Sequence, residues 1–391
     1  MNRIVIAPDS FKGSLSALEV ARAIAAGLHR VWPSAECVLV PMADGGEGTL
    51  DAVLSAGGER QVHRITGAAG NAVDAAFGIV ERVINGDRRR LGIIEIAQVV
   101  SITEPSGMAI AVGRRSTIGV GELMRHGLDI GLRDFLIGLG GSSTNDGGAG
   151  LLTGLGMRLL GRDGATIPPH PEGLAELERV DASTLDPRLA ESRITIMSDV
   201  NNPLTGARGA TAIFGPQKGV TPELHQRYDE VIARFARLAE SAIGRSAADC
   251  PGAGAAGGLG FTLQLLGAEF RSGAEVIADL LQLDAALTGA DWLITGEGRS
   301  DLQTLLGKTP HVVAQRAARQ GVPATLLSGG IDRVALPELG KTFAGCFSMV
   351  FGPISLEQAI ADAPSLLSDS AEQLGRLASI QRRGVPIAIP P

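Results

Sequence analysis

The sequence predicts an α/β protein of two domains, and three observations carry that expectation. Short apolar blocks of strand length alternate with amphipathic stretches, the pattern of a parallel sheet covered by helices. At 391 residues the chain exceeds the roughly 100–200 residues of a usual single domain. From Gln61 to about Ser101 the alternation gives way to short β-like pieces with turn residues between them, and it resumes near residue 290. The simplest arrangement is a discontinuous first domain, residues 1–60 plus 290–391, with residues 61–289 forming a second, mixed α/β domain inserted into it.

Taken in order, Arg3–Ala7 reads as a buried strand. Ser16 and Glu19 then form a capping box, and Val20, Ile24, Leu28 and Val31 recur at helical spacing, so a helix runs to about Arg30. Glu36–Pro41 is the next strand, and a helix follows from Gly48–Thr49 to the stop at Gly57-Gly58. Hairpins are expected over residues 61–101, one turning at Asn85-Gly86-Asp87 before Leu91–Ala97. Thr117–His126 reads as helix; Arg133–Leu139 and Arg193–Ser198 read as strands on either side of a Gly/Pro-rich excursion at Gly161–Gly173. Helices are expected at Pro222–Ile243, Leu259–Phe270 and Ala274–Leu281. Asp291–Thr295, Ala324–Leu327 and Phe343–Val350 read as strands, Thr309–Gln320 and Ala363–Arg382 as helices.

Composition narrows the function. Aromatic residues make up 3% of the chain and its net charge is −7, which removes both the stacking platforms and the basic surface that a nucleic-acid partner needs. No apolar run reaches the roughly 18 residues of a membrane span. The first residues, Met1 to Asp9, carry an apolar run too short for a signal peptide or anchor. Cys37, Cys250 and Cys346 are odd in number and widely spaced, as in a protein of the reducing cytoplasm. Glycine fills 53 positions, about twice its usual share of roughly 7%.

Five apolar strands run straight into loops that set an acid or amide beside glycine: Asp9–Gly13, Asp44–Gly48, Gly140–Gly148, Asp199–Asn202 and Gly296–Asp301. Each alone could be a helix cap. Five together, beyond the carboxyl ends of strands, have the placement of a ligand site in an open α/β sheet. Phosphoryl transfer suits such loops, because it needs positioning and charge neutralisation rather than a covalent catalyst. Mg²⁺ takes one or two carboxylates plus substrate oxygens and waters, and glycine lets backbone amides approach phosphate. Lys12, Lys218 and Lys308 each sit beside glycine in such a loop, where a solvated surface lysine is the alternative.

Other signatures fail. Gly307-Lys308-Thr309 ends like a Walker A loop, but Leu302 stands where the first glycine belongs. Gly252, Gly254 and Gly257 have dinucleotide spacing but follow Cys250-Pro251 rather than a strand; they either approach phosphate at the next helix or let that helix pack closely. Ser142 and Ser143 lie outside a Gly-x-Ser-x-Gly elbow, and the six histidines show no metal-ligand spacing.

Taken in order, the segments Ala7–Ser14, Pro41–Thr49, Gly140–Gly150, Ser198–Leu204, Phe214–Gly219, Pro251–Gly260 and Thr295–Lys308 resemble those of the bacterial glycerate kinases, of the glycerate 2-kinase type. Ser142-Ser143 stands where that family's pattern has Ser-Ala, a conservative departure. The resemblance implies transfer of the γ-phosphoryl group of ATP to D-glycerate with Mg²⁺, at the 2-hydroxyl, giving 2-phosphoglycerate. It also implies a flavodoxin-like first domain with a second α/β domain inserted, the site being expected in the cleft between them. On this reading Asp44, Glu47, Asp199, Asp301 and Lys12 are the catalytic candidates, and Asp199, Glu297 and Asp301 the Mg²⁺ ligands. Asp9, Ser10, Ser142, Ser143, Asn145, Asp146 and Lys218 are the candidates to bind substrate. Gly254, Gly257, Gly258, Gly296, Glu297 and Lys308 are those for ATP. Which acid is the general base stays open, as does a homodimer. The rivals are a kinase of another small hydroxy acid, phosphorylation at the 3-position, and a sugar-acid sensor without turnover.

Overall fold

A computed structural model describes residues 1–84 and 86–382. The chain is a mixed α/β protein that divides into two units. Unit 1 comprises Met1–Asp44, Asp51–Ala56 and the chain from Ala274 onward; unit 2 comprises Gly45–Leu50 and Gly57–Gly273. In chain order the strands are β1 (Arg3–Ile6), β2 (Glu36–Leu39), β3 (Glu59–Thr66), β4 (Ala72–Ile84), β5 (Asp87–Glu95), β6 (Asp134–Gly138), β7 (Arg158–Leu160), β8 (Arg179–Asp181), β9 (Arg193–Met197), β10 (Glu269–Arg271), β11 (Trp292–Thr295), β12 (Arg299–Ser300), β13 (Ala324–Ser328), β14 (Gly330–Ile331) and β15 (Gly345–Ser348).

Unit 1 holds a five-stranded sheet, β15-β13-β11-β1-β2, parallel throughout. Its central strands are apolar on both faces: Ile4, Ile6, Ile294 and Leu327 pack on one face with Val20, Ile24 and Leu28 and with Leu367 and Ala371 in one core, and Val5, Leu293 and Leu326, which point the other way, are buried as well. The first group of helical residues belongs to the helix Ala17–Val31, which Ser16 and Glu19 start as a reciprocal capping box, as the spacing predicts. The second belongs to the helix Ala363–Arg382, which packs against it.

Unit 2 holds a six-stranded mixed sheet, β10-β9-β6-β5-β4-β3. β3, β4 and β5 form the expected antiparallel meander, while β5, β6, β9 and β10 run parallel. Asn85, in the predicted hairpin turn, lies outside the described residues. Phe77, Phe135, Phe235 and Phe261 anchor a second core.

Two local expectations need correction. The helix predicted over 259–270 ends at Leu265: Gly267 adopts φ +93°, and Glu269–Arg271 then pair with β9 as a strand. The strand predicted over 343–350 is limited to Gly345–Ser348, and a short helix, Leu356–Ala361, follows it unforeseen, although Ser355 and Gln358 form its capping box.

Candidate active site

In unit 1 the strand order turns about β1, with β2 on one side and β11, β13 and β15 on the other. Loops leaving β1 and β11 at their carboxyl ends therefore diverge, which is where open parallel sheets bind ligands. A cavity of about 830 Å³ lies there, and Asp9, Ser10, Lys12, Asp44, Glu297 and Lys308 are among the residues that line it. Residues distant in sequence meet because each follows a different strand. Asp9 is fixed from both sides: its amide donates to the Gly296 carbonyl at 2.8 Å, and the Ser10 amide donates to its Oδ1 at 2.7 Å.

The charges in this cavity are out of balance with their surroundings. Burial, and next the nearby Asp44 charge, push the Asp9 carboxyl up from 3.8 to about 7, against the pull of Lys12. Burial also raises Glu297, although its Oε1 accepts from the Thr304 hydroxyl at 2.6 Å and the Ser300 hydroxyl at 3.0 Å. The lysines stand at the edge of ion-pair range, Lys12 4.0 Å from Asp44 and Lys308 3.9 Å from Glu297. Lys308 begins the helix Thr309–Arg319, where no side chain caps the first turn. Two cations, three acids and an open helix start can neutralise phosphate and accept a hydroxyl proton. The buried Ser10 hydroxyl has no hydrogen-bond partner among the described residues.

Unit 2 gathers a second polar cluster around the Gly140–Gly148 loop after β6. Lys218, 1% exposed, donates from Nζ to Ser142 Oγ at 2.9 Å and to the Thr144 carbonyl at 2.7 Å, and burial pushes its ammonium down from 10.5 to about 7. Arg115, also buried, ties the Ser143 and Lys218 carbonyls together, at 3.1 and 2.9 Å. Asp146 accepts from the Thr117 amide and hydroxyl and from the Gly148 and Gly150 amides; burial nonetheless raises its carboxyl. Ser143 Oγ donates to the Val100 carbonyl at 2.9 Å. Asn145 Nδ2 donates to Thr211 Oγ1, while Asn145 Oδ1 and the Thr144 hydroxyl, both fully buried, have no partner among the described residues.

The remaining candidates fall outside these two clusters. Asp301 and Gly296 flank Glu297 in sequence without lining the cavity. Asp301 caps the turn Leu302–Leu305, its Oδ1 accepting from the Gln303 amide at 2.8 Å. A Cβ on Gly296 would lie 1.8 Å from the Leu327 carbonyl oxygen, so this glycine serves the close approach of β11 and β13. Glu47 and Asp199 are exposed loop residues of unit 2. The glycines at 254, 257 and 258 are packed against backbone: a Cβ would meet the Pro203 carbonyl at 2.3 Å, the Thr144 carbonyl at 2.1 Å and Gly147 Cα at 2.4 Å respectively. Among the described residues no group of three or more His, Cys, Asp or Glu side chains is placed to hold a metal.

Three residues of unit 2 escaped the sequence reading. Glu95, buried at the end of β5, accepts from the Gly48 amide at 3.1 Å and the Leu50 amide at 3.0 Å, and so holds the Asp44–Gly48 loop on its unit 2 side. Its signal is an acid inside the apolar run Ile93–Ile96. Arg115 and Thr117, which fix the Gly140–Gly148 loop, carry no comparable signal, because the residues they hold in that loop, Ser143 and Asp146, lie 28 and 29 residues away.

Comparison with known proteins bears on this geometry. The family model of the glycerate kinase family matches residues 4–379. A protein named glycerate kinase from Halalkalibacterium halodurans is 40% identical over 387 residues, covering 97% of this chain and 99% of that one. A protein named glycerate 2-kinase from Escherichia coli K12 is 40% identical over 338 residues, covering 84% and 85%. A crystal structure assigned to glycerate kinase 2 of Salmonella typhimurium LT2 superposes with a TM-score of 0.84 at 40% identity, over 98% of this chain and 99% of that one.

Proposed function

Because this chain belongs to the glycerate kinase family, we propose that it transfers the γ-phosphoryl group of ATP to the 2-hydroxyl of D-glycerate, giving 2-phosphoglycerate and ADP. The observation that carries the chemistry is the cavity of unit 1, where Asp9, Asp44 and Glu297 face Lys12 and Lys308 at the carboxyl ends of parallel strands. Asp9, with its carboxyl near 7, is matched to take a proton from a hydroxyl at neutral pH, and takes precedence as general base over the acids singled out from sequence. Lys12 and Lys308 neutralise phosphate oxygens. The donor set is all oxygen, as Mg²⁺ requires, and Glu297 with Asp44 are the carboxylates to hold that ion against the nucleotide, where it would neutralise charge on the phosphates.

The finer description of the fold belongs to the same proposal. The order β2-β1-β11-β13-β15 supports a flavodoxin-like sheet, and the interruption of unit 1 by most of unit 2 supports an inserted domain. Three unpaired cysteines fit a reducing compartment, and among the described residues no helix is long and apolar enough to cross a membrane.

Substitution kinetics test the assignment. Asp44→Asn and Glu297→Gln should each lower kcat by about 10²-fold or more, whereas Asp301→Asn, at a turn cap where Asn serves as well as Asp, should leave both the fold and most of kcat. Loss of kcat confined to Asp301→Asn would move the chemistry away from this cavity.

A further inference from the structure

The cavity of unit 1 is lined by further residues that the chemistry above does not use. Besides the acids and lysines its lining includes an apolar run after β15, Met349, Val350, Ile354, Leu356 and Ile360, with Arg299, Asp332 and Ser355 as further polar members. Residues 351–358 are exposed without a break, Ile354 at 42% and Leu356 at 78%. The segment is nevertheless anchored. The Met349 amide donates to the Ser328 carbonyl at 2.9 Å, the Ser370 hydroxyl to the Met349 carbonyl at 3.2 Å, and Ser355 caps the helix Leu356–Ala361. An ordered run of apolar side chains left open beside a polar pocket marks a ligand surface rather than a frayed loop.

Size selects the ligand. Pockets for drug-sized ligands hold roughly 300–1,000 Å³, and this one has about 830 Å³. A three-carbon acid would leave most of that volume empty and has no apolar face to set against the wall. A nucleotide has both kinds of part, phosphates for the lysines and a flat, weakly polar base for the apolar residues.

We propose that this cavity is the nucleotide subsite, with the segment Met349–Ile360 as the wall that receives base and ribose while the phosphates lie toward Lys12 and Lys308. The proposal rests on the kinase reading but can be decided without turnover. Calorimetric titration of the full chain with ADP, adenosine and D-glycerate should show that adenosine competes with ADP and that D-glycerate does not. Ile354→Glu and Leu356→Glu, both at exposed positions, put a charge against the base and should weaken ADP binding about tenfold or more. Leu356→Met should retain it. Hydrogen exchange on the unaltered protein supplies a readout independent of the variants: ADP should protect residues 349–360.

Competition by D-glycerate instead of adenosine would give the cavity to the acid and overturn the proposal. So would unprotected 349–360 amides, or unchanged ADP affinity in the glutamate variants with a dimer-to-monomer change in sedimentation, which would make the apolar run a contact between copies. If ADP binds as described but no ADP forms from ATP and D-glycerate, the subsite stands and the assigned reaction falls.

Discussion

Replacing Asp9 with Asn should make unit 1 more stable and the enzyme nearly inactive, and the two effects should separate with pH. The carboxyl is pushed from 3.8 to about 7, chiefly by burial, so its ionised form is disfavoured in the folded chain. Between those two values the folded state holds a proton that the unfolded state has released. Stability therefore falls as pH rises from about 4 to about 7, and above 7 the whole cost of the buried charge is present. At about 1.36 kcal/mol per pH unit, the gap corresponds to roughly 4 kcal/mol, an upper bound because Asn forgoes the attraction of Lys12. Both tryptophans of the chain, Trp32 and Trp292, lie in unit 1, so their fluorescence follows its unfolding. For urea slopes of about 1–3 kcal/mol/M, a gain of a few kcal/mol moves the midpoint up by roughly 1 M or more at pH 8. At pH 4 the two proteins should coincide. Turnover at pH 8 should drop about 10²–10⁴-fold with loss of the proton acceptor. A variant no more stable than the parent at pH 8, or equally more stable at pH 4 and pH 8, would refute the reasoning.

Lys218 gives the opposite slope. Its ammonium is pushed from 10.5 to about 7, so from pH 7 to 10 the unfolded state binds the extra proton and stability rises by up to about 1.4 kcal/mol per pH unit. Lys218→Met should abolish that rise, measured as urea midpoints at pH 7.5 and 9.5; an unchanged slope would mean the ammonium is not strained by burial. Gly296→Ala sets a methyl group 1.8 Å from the Leu327 carbonyl oxygen and should destabilise by about 1–3 kcal/mol or more, read as a fall in Tm. An unaltered Tm would show that β11 and β13 have room to part.

The sequence made local features legible and left the environment of each side chain obscure. The Ser16–Glu19 capping box, the meander over 61–101 and the Gly stop of the second helix are decided by neighbours a few residues apart, and they appear where the pattern puts them. The same logic extended a helix through Gly267 because the apolar spacing continues to Phe270, while a three-residue strand pairing outweighs it. It also passed over the helix Leu356–Ala361, whose larger apolar residues, Leu356 and Ile360, are exposed while only Ala359 is buried. In the candidate site, the acid-plus-glycine loops were visible as loops. That Asp9 and Glu297 are the buried members, that Lys218 is enclosed by Ser142 and Thr144 more than 70 residues away, and that the 254–258 glycines are packing positions all depend on pairings across the fold. Burial is a property of those pairings, and no residue type announces it alone.

The most direct measurement is phosphorus NMR of a mixture of the protein, ATP, Mg²⁺ and D-glycerate. Phosphate on O2 couples to a single methine proton and gives a doublet; phosphate on O3 couples to a methylene pair and gives a triplet. The account predicts a doublet growing in step with ADP, lost when the divalent cation is chelated and restored by added Mg²⁺. A triplet would contradict the assigned position, and ATP left intact beside D-glycerate would contradict the account as a whole.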